Sequence, residues 1–309
     1  MKAVQITGYG QQAVVAEVGT PTTGPGEVLV RIAGVALNPL DLKIASGGFQ
    51  GFFPVEFPYV LGTDLSGTIT EIGADVTGWQ VGDQVIARLD PTRGGAAAEF
   101  AVVPAAQLVT APSSLLLPLA SGIGTAAGTA WQALVEVADV RPDQCVLIHG
   151  AAGGVGSFAI QFARDLGAHV IATASGKGLD IARQLGAHQV VDYTSTDFTK
   201  AVSEVDVVLD TVGGANEPRS LEVLKPGGLL VATPVPPDGE RAADRGLRAE
   251  FVFHTSNADR LELVASKIDG GTHLLLDRML PIREAADALS YLARGRAKGK
   301  VILVVDGVA

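Results

Sequence analysis

Three glycines in the stretch Val146-Leu-Ile-His-Gly-Ala-Ala-Gly-Gly-Val-Gly156 stand at the spacing of a turn that receives a pyrophosphate. Gly150 allows the tight turn, Gly153 lets backbone approach a phosphate, and Gly156 lets the following helix pack close to the sheet. The N–H groups of Gly154 and Val155, at the start of that helix, face the phosphates, and the helix dipole adds to the attraction. The implied chemistry is the binding of a dinucleotide. A second strand, His169–Ser175, follows and ends Ala174-Ser175-Gly176-Lys177, without the carboxylate that usually holds a free ribose 2′-hydroxyl. A 2′-phosphate suits this end better: Ser175 donates a hydrogen bond, Lys177 supplies charge, and the Tyr193 hydroxyl closes the third strand, Gln189–Tyr193. The expected cofactor is NADPH.

Elements must position these residues. Val146–His149 is an apolar run broken by Gly150, and Val155, Ala159, Phe162, Ala163 and Leu166 fall on one helical face ending at Gly167. From Gln144 onward strands and helices alternate, with strands expected at Cys145–His149, His169–Ala174, Gln189–Asp192, Asp206–Asp210, Leu229–Thr233 and Glu250–Phe253. Lys225-Pro-Gly-Gly228 reads as a stop before the fifth of them, and Thr129–Val137 as a helix leading into the set. Such alternation predicts a doubly wound parallel sheet. Residues 1 to about 115 differ: short strands at Lys2–Thr7, Val14–Val18, Glu27–Leu37, Gly67–Ile72, Gln84–Arg88 and Ala98–Val103 predict a compact barrel-like β domain. Pro39–Ser46 reads as a helical turn, and Arg283–Leu292 as a helix before a last strand, Lys300–Val305, that rejoins the first domain.

At 309 residues the chain has room for two domains. Mean hydropathy is +0.32, yet no apolar run reaches the ~18 residues of a spanning helix, and Met1–Gly8 alternates like a strand. The expectation is a cytoplasmic protein with no membrane partner. A net charge of −10 opposes a nucleic-acid partner. The basic run Arg294, Arg296, Lys298 and Lys300 reads as a solvated helix end and strand start. Cys145 is the single cysteine and the five histidines are scattered, so no metal site is expected.

Several short motifs occur in a characteristic order: Asn38-Pro-Leu-Asp41, Gly62-Thr-Asp64 with Ser66-Gly67, Val81-Gly-Asp83, Gly95-Ala-Ala-Ala-Glu-Phe100, Ala126-Ala-Gly-Thr-Ala-Trp131, Ala151-Ala-Gly-Gly-Val-Gly156, Leu185-Gly-Ala187 with Asp192-Tyr193, and Gly299-Lys-Val301. Over nearly its whole length the chain resembles the zinc-independent branch of the medium-chain dehydrogenase/reductase superfamily, the quinone oxidoreductases related to zeta-crystallin. That resemblance implies an α/β protein: a Rossmann doubly wound parallel sheet plus a GroES-like β-barrel domain. The domain limits expected are 1–118 with 270–309 for the GroES-like catalytic part and 119–269 for the Rossmann NADP-binding part. The positions matching the catalytic zinc ligands of zinc-dependent relatives are Asn38, Thr63 and Thr125, none a usual zinc ligand.

The resemblance also implies that Asn38 and Thr129 lie beside the nicotinamide and that backbone near Phe253 holds its carboxamide. Phe49, Phe52, Phe53 and Tyr59 form an aromatic-rich segment that could stack on a flat acceptor or simply pack the core. Phe49 stands where related enoyl-thioester reductases place a proton-donating tyrosine, which weakens that activity here. Asp41, Asp64 and Asp83 read as turn residues that bind backbone amides. The function expected is NADPH-dependent reduction of quinones or other conjugated carbonyl compounds by hydride transfer. Alternatives are an enoyl or alkenal double-bond reductase and a non-catalytic NADPH-binding protein. The family expectation for assembly is a homodimer formed through the last Rossmann strand, near Phe251.

Overall fold

The computed structural model describes residues 1–305; residues 306–309 of the expected final segment lie outside the described residues. The chain divides into two compact units, one of Met1–Thr125 together with the segment from Thr255 onward, the other of Ala126–His254.

In the first unit the alternating runs near the N-terminus pair as a small sheet, Lys2–Ile6 between Val14–Glu17 and Tyr59–Val60. A seven-stranded sheet forms around the long strand Glu27–Leu37. That strand pairs antiparallel with Asp64–Ile72, Phe100–Pro104 and the last strand, Lys300–Val304, so the chain's end returns to this sheet as expected. Gln84–Arg88 and Val109–Thr110 extend one side, and Leu276–Pro281 lies parallel to the last strand on the other. Inward-facing Val28, Val30, Ile32, Leu65, Ile69 and Leu303 are buried and form much of the core between these strands. Pro39 opens a helix over Pro39–Ala45, where its missing N–H costs nothing. Three short strands, Tyr59–Val60, Val109–Thr110 and Leu276–Pro281, lack the periodicity by which sequence could reveal them.

The second unit is a six-stranded parallel sheet in the order Gln189–Asp192, His169–Ala174, Cys145–His149, Val205–Asp210, Leu224–Ala232, Arg248–Phe251. Chain order reverses on either side of Cys145–His149, and the carboxyl end of that strand is where ligands bind in such sheets. Two local expectations change. Lys225-Pro-Gly-Gly228 lies inside the strand Leu224–Ala232, because Leu224 still pairs with Val205 while the exposed Pro226 and Gly227 bulge outward and shift the register. The helix expected from Thr129 starts at Gly124 and runs to Trp131, and its continuation, Gln132–Val137, widens to π-helix. The earlier start follows from the Asp64 carboxylate, which accepts the Thr125 N–H at 3.0 Å.

Two buried titratable groups give opposite pH signatures. His149 is 1% exposed, with Nδ1 2.9 Å from the Thr173 hydroxyl and Nε2 3.1 Å from Ser220 Oγ. Because Ser220 donates to the Asn216 carbonyl, it accepts from Nε2–H, which leaves Nδ1 to accept from Thr173. Burial, opposed by Asp210, pushes this imidazole down from 6.5 to about 4. The neutral form is favoured in the folded state, so stability is present above 6.5 and is lost as pH falls towards 4. A His149→Gln variant will lack this loss, which is on the order of 2 kcal/mol, when urea unfolding is compared across that window. Asp41 runs the other way. Burial, with a smaller push from Asp64, raises its carboxyl from 3.8 to about 7 against the pull of the Asn38 N–H, Lys300 and Arg88. Wild-type stability therefore falls as pH rises from 3.8 to about 7. The stability of Asp41→Asn relative to wild type will rise by roughly 3 kcal/mol across that interval in the same unfolding assay.

Candidate functional site

Within the Rossmann unit the glycine turn has the shape a pyrophosphate requires. Gly150 has φ +66°, and a Cβ there would lie 2.5 Å from Thr211 Oγ1. Gly153 donates its N–H to the Gly150 carbonyl at 2.9 Å and caps the helix Gly154–Asp165. A Cβ on Gly156 would come within 2.4 Å of the Gly150 carbonyl oxygen, so only glycine lets the first helical turn pack this closely on the turn before it. The N–H groups of Gly154 and Val155 are in the first helical turn, where no intrahelical acceptor precedes them. The cradle fits a dinucleotide backbone.

The adjacent strand ends carry the hydroxyls and the cation expected at the ribose. Ser175 Oγ donates to the Tyr193 hydroxyl at 2.8 Å, which fixes two hydroxyls side by side where His169–Ala174 and Gln189–Asp192 end. Lys177 is exposed and immediately precedes the helix Gly178–Gln184. The nearest strand-end carboxylate, Asp192, accepts from the Thr194 N–H and hydroxyl through Oδ1, and these bonds hold it below the usual carboxylate range. Thr129 is 5% exposed and lies inside the helix Gly124–Trp131. Phe253 is partly exposed, beyond the strand Arg248–Phe251, its ring 6.2 Å from that of Phe251. Sequence reading missed His254. Its ring packs on Gly128, where a Cβ would lie 2.6 Å from Cε1. No local pattern signals such a contact.

In the first unit, strand register assembles a buried polar row. Asp64 is opposite Arg88 on one neighbouring strand and opposite Ala36 on the other, and Leu37 is opposite Val301, next to Lys300. Lys300 Nζ donates to Asn38 Oδ1 at 2.6 Å and to the Leu37 carbonyl at 3.3 Å. Asn38 Nδ2 donates to Asp64 Oδ2 at 2.9 Å and to the Ala36 carbonyl at 3.2 Å. Asp64 also accepts from the Thr125 hydroxyl at 2.8 Å, and Arg88 Nε donates to that hydroxyl at 3.2 Å. Arg88 Nη1 donates to Ser256 Oγ at 2.9 Å. Asp41 Oδ1 and Thr63 Oγ1 are buried without a partner.

Lys300 is 4% exposed, which corrects its reading as part of a solvated basic run; only Arg294 and Arg296 of that run are exposed. Its place beside buried Val301 on the returning strand is what takes it inside. The amide-binding expectation for three aspartates fits the hydrogen bonds: Asp41 accepts from Asn38 N, Asp64 from Thr125 N and Asp83 from Gln80 N. Asp64, however, is on a strand at 0% exposure and not in a turn.

Asn38, Thr63 and Thr125, the positions that match zinc ligands, thus offer an amide and two hydroxyls, and the amide and the Thr125 hydroxyl are already bonded to an ammonium and a guanidinium. Zinc prefers thiolate and imidazole ligands, so this donor set does not fit it. Among the described residues no group of three or more His, Cys, Asp or Glu could hold a metal ion.

The aromatic segment divides. Phe49, Phe52 and Phe53 cluster, with ring centroids 5.4 Å apart for Phe49–Phe52 and 6.5 Å for Phe49–Phe53; Phe52 is 54% exposed and Lys43 Nζ stands 4.4 Å over Phe49. Tyr59 is apart from them in the core, 3% exposed. Its hydroxyl donates to the Pro91 carbonyl at 2.7 Å, and burial raises the phenol above its ordinary range.

Comparison with known proteins agrees with this description. Residues 24–113 match the family described as alcohol dehydrogenase GroES-like domain, and residues 185–303 the family described as zinc-binding dehydrogenase. The chain is 31% identical over 322 residues to the chloroplastic quinone-oxidoreductase QR1 of Triphysaria versicolor, covering 98% of both. It is 31% identical over 325 residues to the mitochondrial NAD(P)H oxidoreductase RTN4IP1 of Danio rerio, covering 91% of this chain and 84% of the relative. The quinone oxidoreductase of Coxiella burnetii superposes with a TM-score of 0.92 at 30% identity, over 99% of each chain.

No helix among the described residues is long and apolar enough to cross a membrane. The cytoplasmic expectation is overturned by the mitochondrial and chloroplastic relatives. A strand-like N-terminus, Lys2–Ile6, describes how that segment folds and carries no information about compartment. Glycine turn, sheet order, GroES-like match and full-length relatives converge: the chain is an oxidoreductase and belongs to the zinc-independent quinone-oxidoreductase branch of the medium-chain dehydrogenase/reductase superfamily.

Proposed function

We propose that this protein is an NADPH-dependent, zinc-independent reductase of quinones or other conjugated carbonyl compounds. The observation that carries the cofactor choice is the Ser175–Tyr193 hydroxyl pair followed by exposed Lys177, with the Asp192 carboxylate engaged by Thr194. Two hydroxyls and an ammonium suit the dianionic 2′-phosphate. Gly150, Gly153, Gly154 and Val155 hold the pyrophosphate, while Thr129 and the backbone near Phe253 serve the nicotinamide end. When bound, NADPH supplies the hydride. The names of the relatives, a quinone oxidoreductase among them, support the acceptor class.

A simple alcohol is a poor substrate without a Lewis acid to promote its deprotonation. A quinone or enone delocalises much of the incoming charge itself, so the protein's main work is to orient the reactants. Phe49, Phe52 and Phe53 provide stacking surface for a flat acceptor, while Tyr59 is a core residue tied to Pro91. Asn38 has both amide protons and an oxygen lone pair engaged, so its part is to hold the end of Glu27–Leu37 in place. With phenylalanine at position 49 and the Tyr59 proton given to a carbonyl, the proton that completes the product comes from water.

In this reading residues 1–118 and 270–309 form the acceptor-binding part and 119–269 the NADP-binding part. A division of this kind is supported by the two compact units, in which the helix Ala258–Asp269 falls with the first. Among the described residues no further strand pairs with the outer side of Arg248–Phe251 at the end of the parallel sheet, which supports a homodimer through that edge near Phe251. A net charge of −10 speaks against a nucleic-acid partner.

Lys177→Ala will raise KM for NADPH by about tenfold and leave kcat within about twofold, because it removes an interaction common to ground and transition states. Steady-state rates at saturating quinone measure both constants. An unchanged KM would contradict the 2′-phosphate assignment.

A further inference from the structure

The polar row ends in a cation with one hand free. Arg88 is 5% exposed, and its guanidinium is fixed twice, through Nε to Thr125 Oγ1 and through Nη1 to Ser256 Oγ. Ser256 is itself held, since its hydroxyl donates to the Arg88 carbonyl at 2.8 Å. Nη2 donates to no described residue, and it is not among the buried atoms left without a partner. The unpaired nitrogen therefore stands at an accessible surface on a side chain otherwise enclosed by protein. A guanidinium has five donors and cannot be deprotonated in a protein, so a fixed, unpaired edge favours an oxygen carrying negative charge. Asp64 stands opposite Arg88 in the sheet, and its charge favours the guanidinium while Thr125 bridges the two side chains.

We propose that Arg88 binds, through Nη2–H, the acceptor oxygen on which negative charge develops during reduction, the electrophilic role that zinc plays in metal-dependent relatives. This rests on the quinone or enone reading above. The hydride that NADPH would supply, with oxidation of the cofactor to NADP⁺, adds to the conjugated acceptor and forms a C–H bond. The π pair it displaces moves through the conjugated system onto the carbonyl oxygen, and water then supplies the proton. Arg88 acts only on the oxygen, as a preorganised donor whose neighbours need not move when charge appears. It differs from a general acid in keeping its proton throughout.

A phenolate is a stable mimic of that anionic oxygen. With the enzyme saturated by NADP⁺, 4-nitrophenol will bind as phenolate at least about tenfold more tightly than as phenol, read from the visible phenolate band across pH. Arg88→Met will abolish that preference, leave NADP⁺ affinity unchanged, and lower kcat/KM for benzoquinone by about a hundredfold. Arg88→Lys, which keeps the charge and loses the fork, will recover part of both effects. Equal affinity of the wild type for phenol and phenolate would overturn the proposal without recourse to any variant. Quinone turnover undiminished in Arg88→Met would overturn it as well and leave the quinone-reductase reading intact. A phenolate preference in a wild type that reduces no quinone or enone would sink that reading, and the acceptor role with it, while establishing the anion-binding edge.

Discussion

The first unit depends on how one buried carboxylate is satisfied. Asp64 has no solvent exposure and would be costly to bury as an isolated charge. It accepts from the Asn38 amide, the Thr125 N–H and the Thr125 hydroxyl, and it faces Arg88 across the sheet. These bonds dictate local structure. They fix where the helix Gly124–Trp131 starts, and they require glycine at 124, where a Cβ would stand 2.7 Å from Asp64 Oδ1. They also orient the Asn38 amide so that its oxygen meets Lys300. Two organic cations and two carboxylates thus fill a region where the sequence register of zinc-dependent relatives calls for a metal and its ligands.

The Rossmann unit solves a different problem, how to bring backbone N–H groups against phosphates. Its answer is steric. Gly150 and Gly156 are positions where any side chain would collide with Thr211 or with the turn itself, so the glycines are fixed by backbone packing before any ligand is considered. In the proposed reading, specificity is added at the neighbouring strand ends by side chains, the Ser175–Tyr193 pair and Lys177. Shape provides for the pyrophosphate that all such cofactors share, and chemistry at the ribose distinguishes among them.

This contrast explains what sequence could reveal. The glycine turn, the alternation of strands and helices, and the helix opened by Pro39 are local patterns, and they appear where the residues predict them. The Ser175–Tyr193 pair was legible because adjacent parallel strands end together. The polar row was only half legible. Its members come from residues 38, 64, 88, 125 and 300, and they meet through the register of strands far apart in the chain. In sequence Lys300 is the tail of a basic run, and Arg88 stands at the end of an apolar strand with nothing local to mark it. Tyr59 likewise shared a segment with three phenylalanines, yet strand pairing with Ile6 takes it into the core.

The measurement that tests the account most directly is the rate of nicotinamide oxidation by the purified protein with phenanthrenequinone, compared between NADPH and NADH. The account predicts quinone-dependent oxidation with kcat/KM for NADPH at least about tenfold above that for NADH, as a site built for a 2′-phosphate requires. Equal use of the two cofactors, or a preference for NADH, would contradict it.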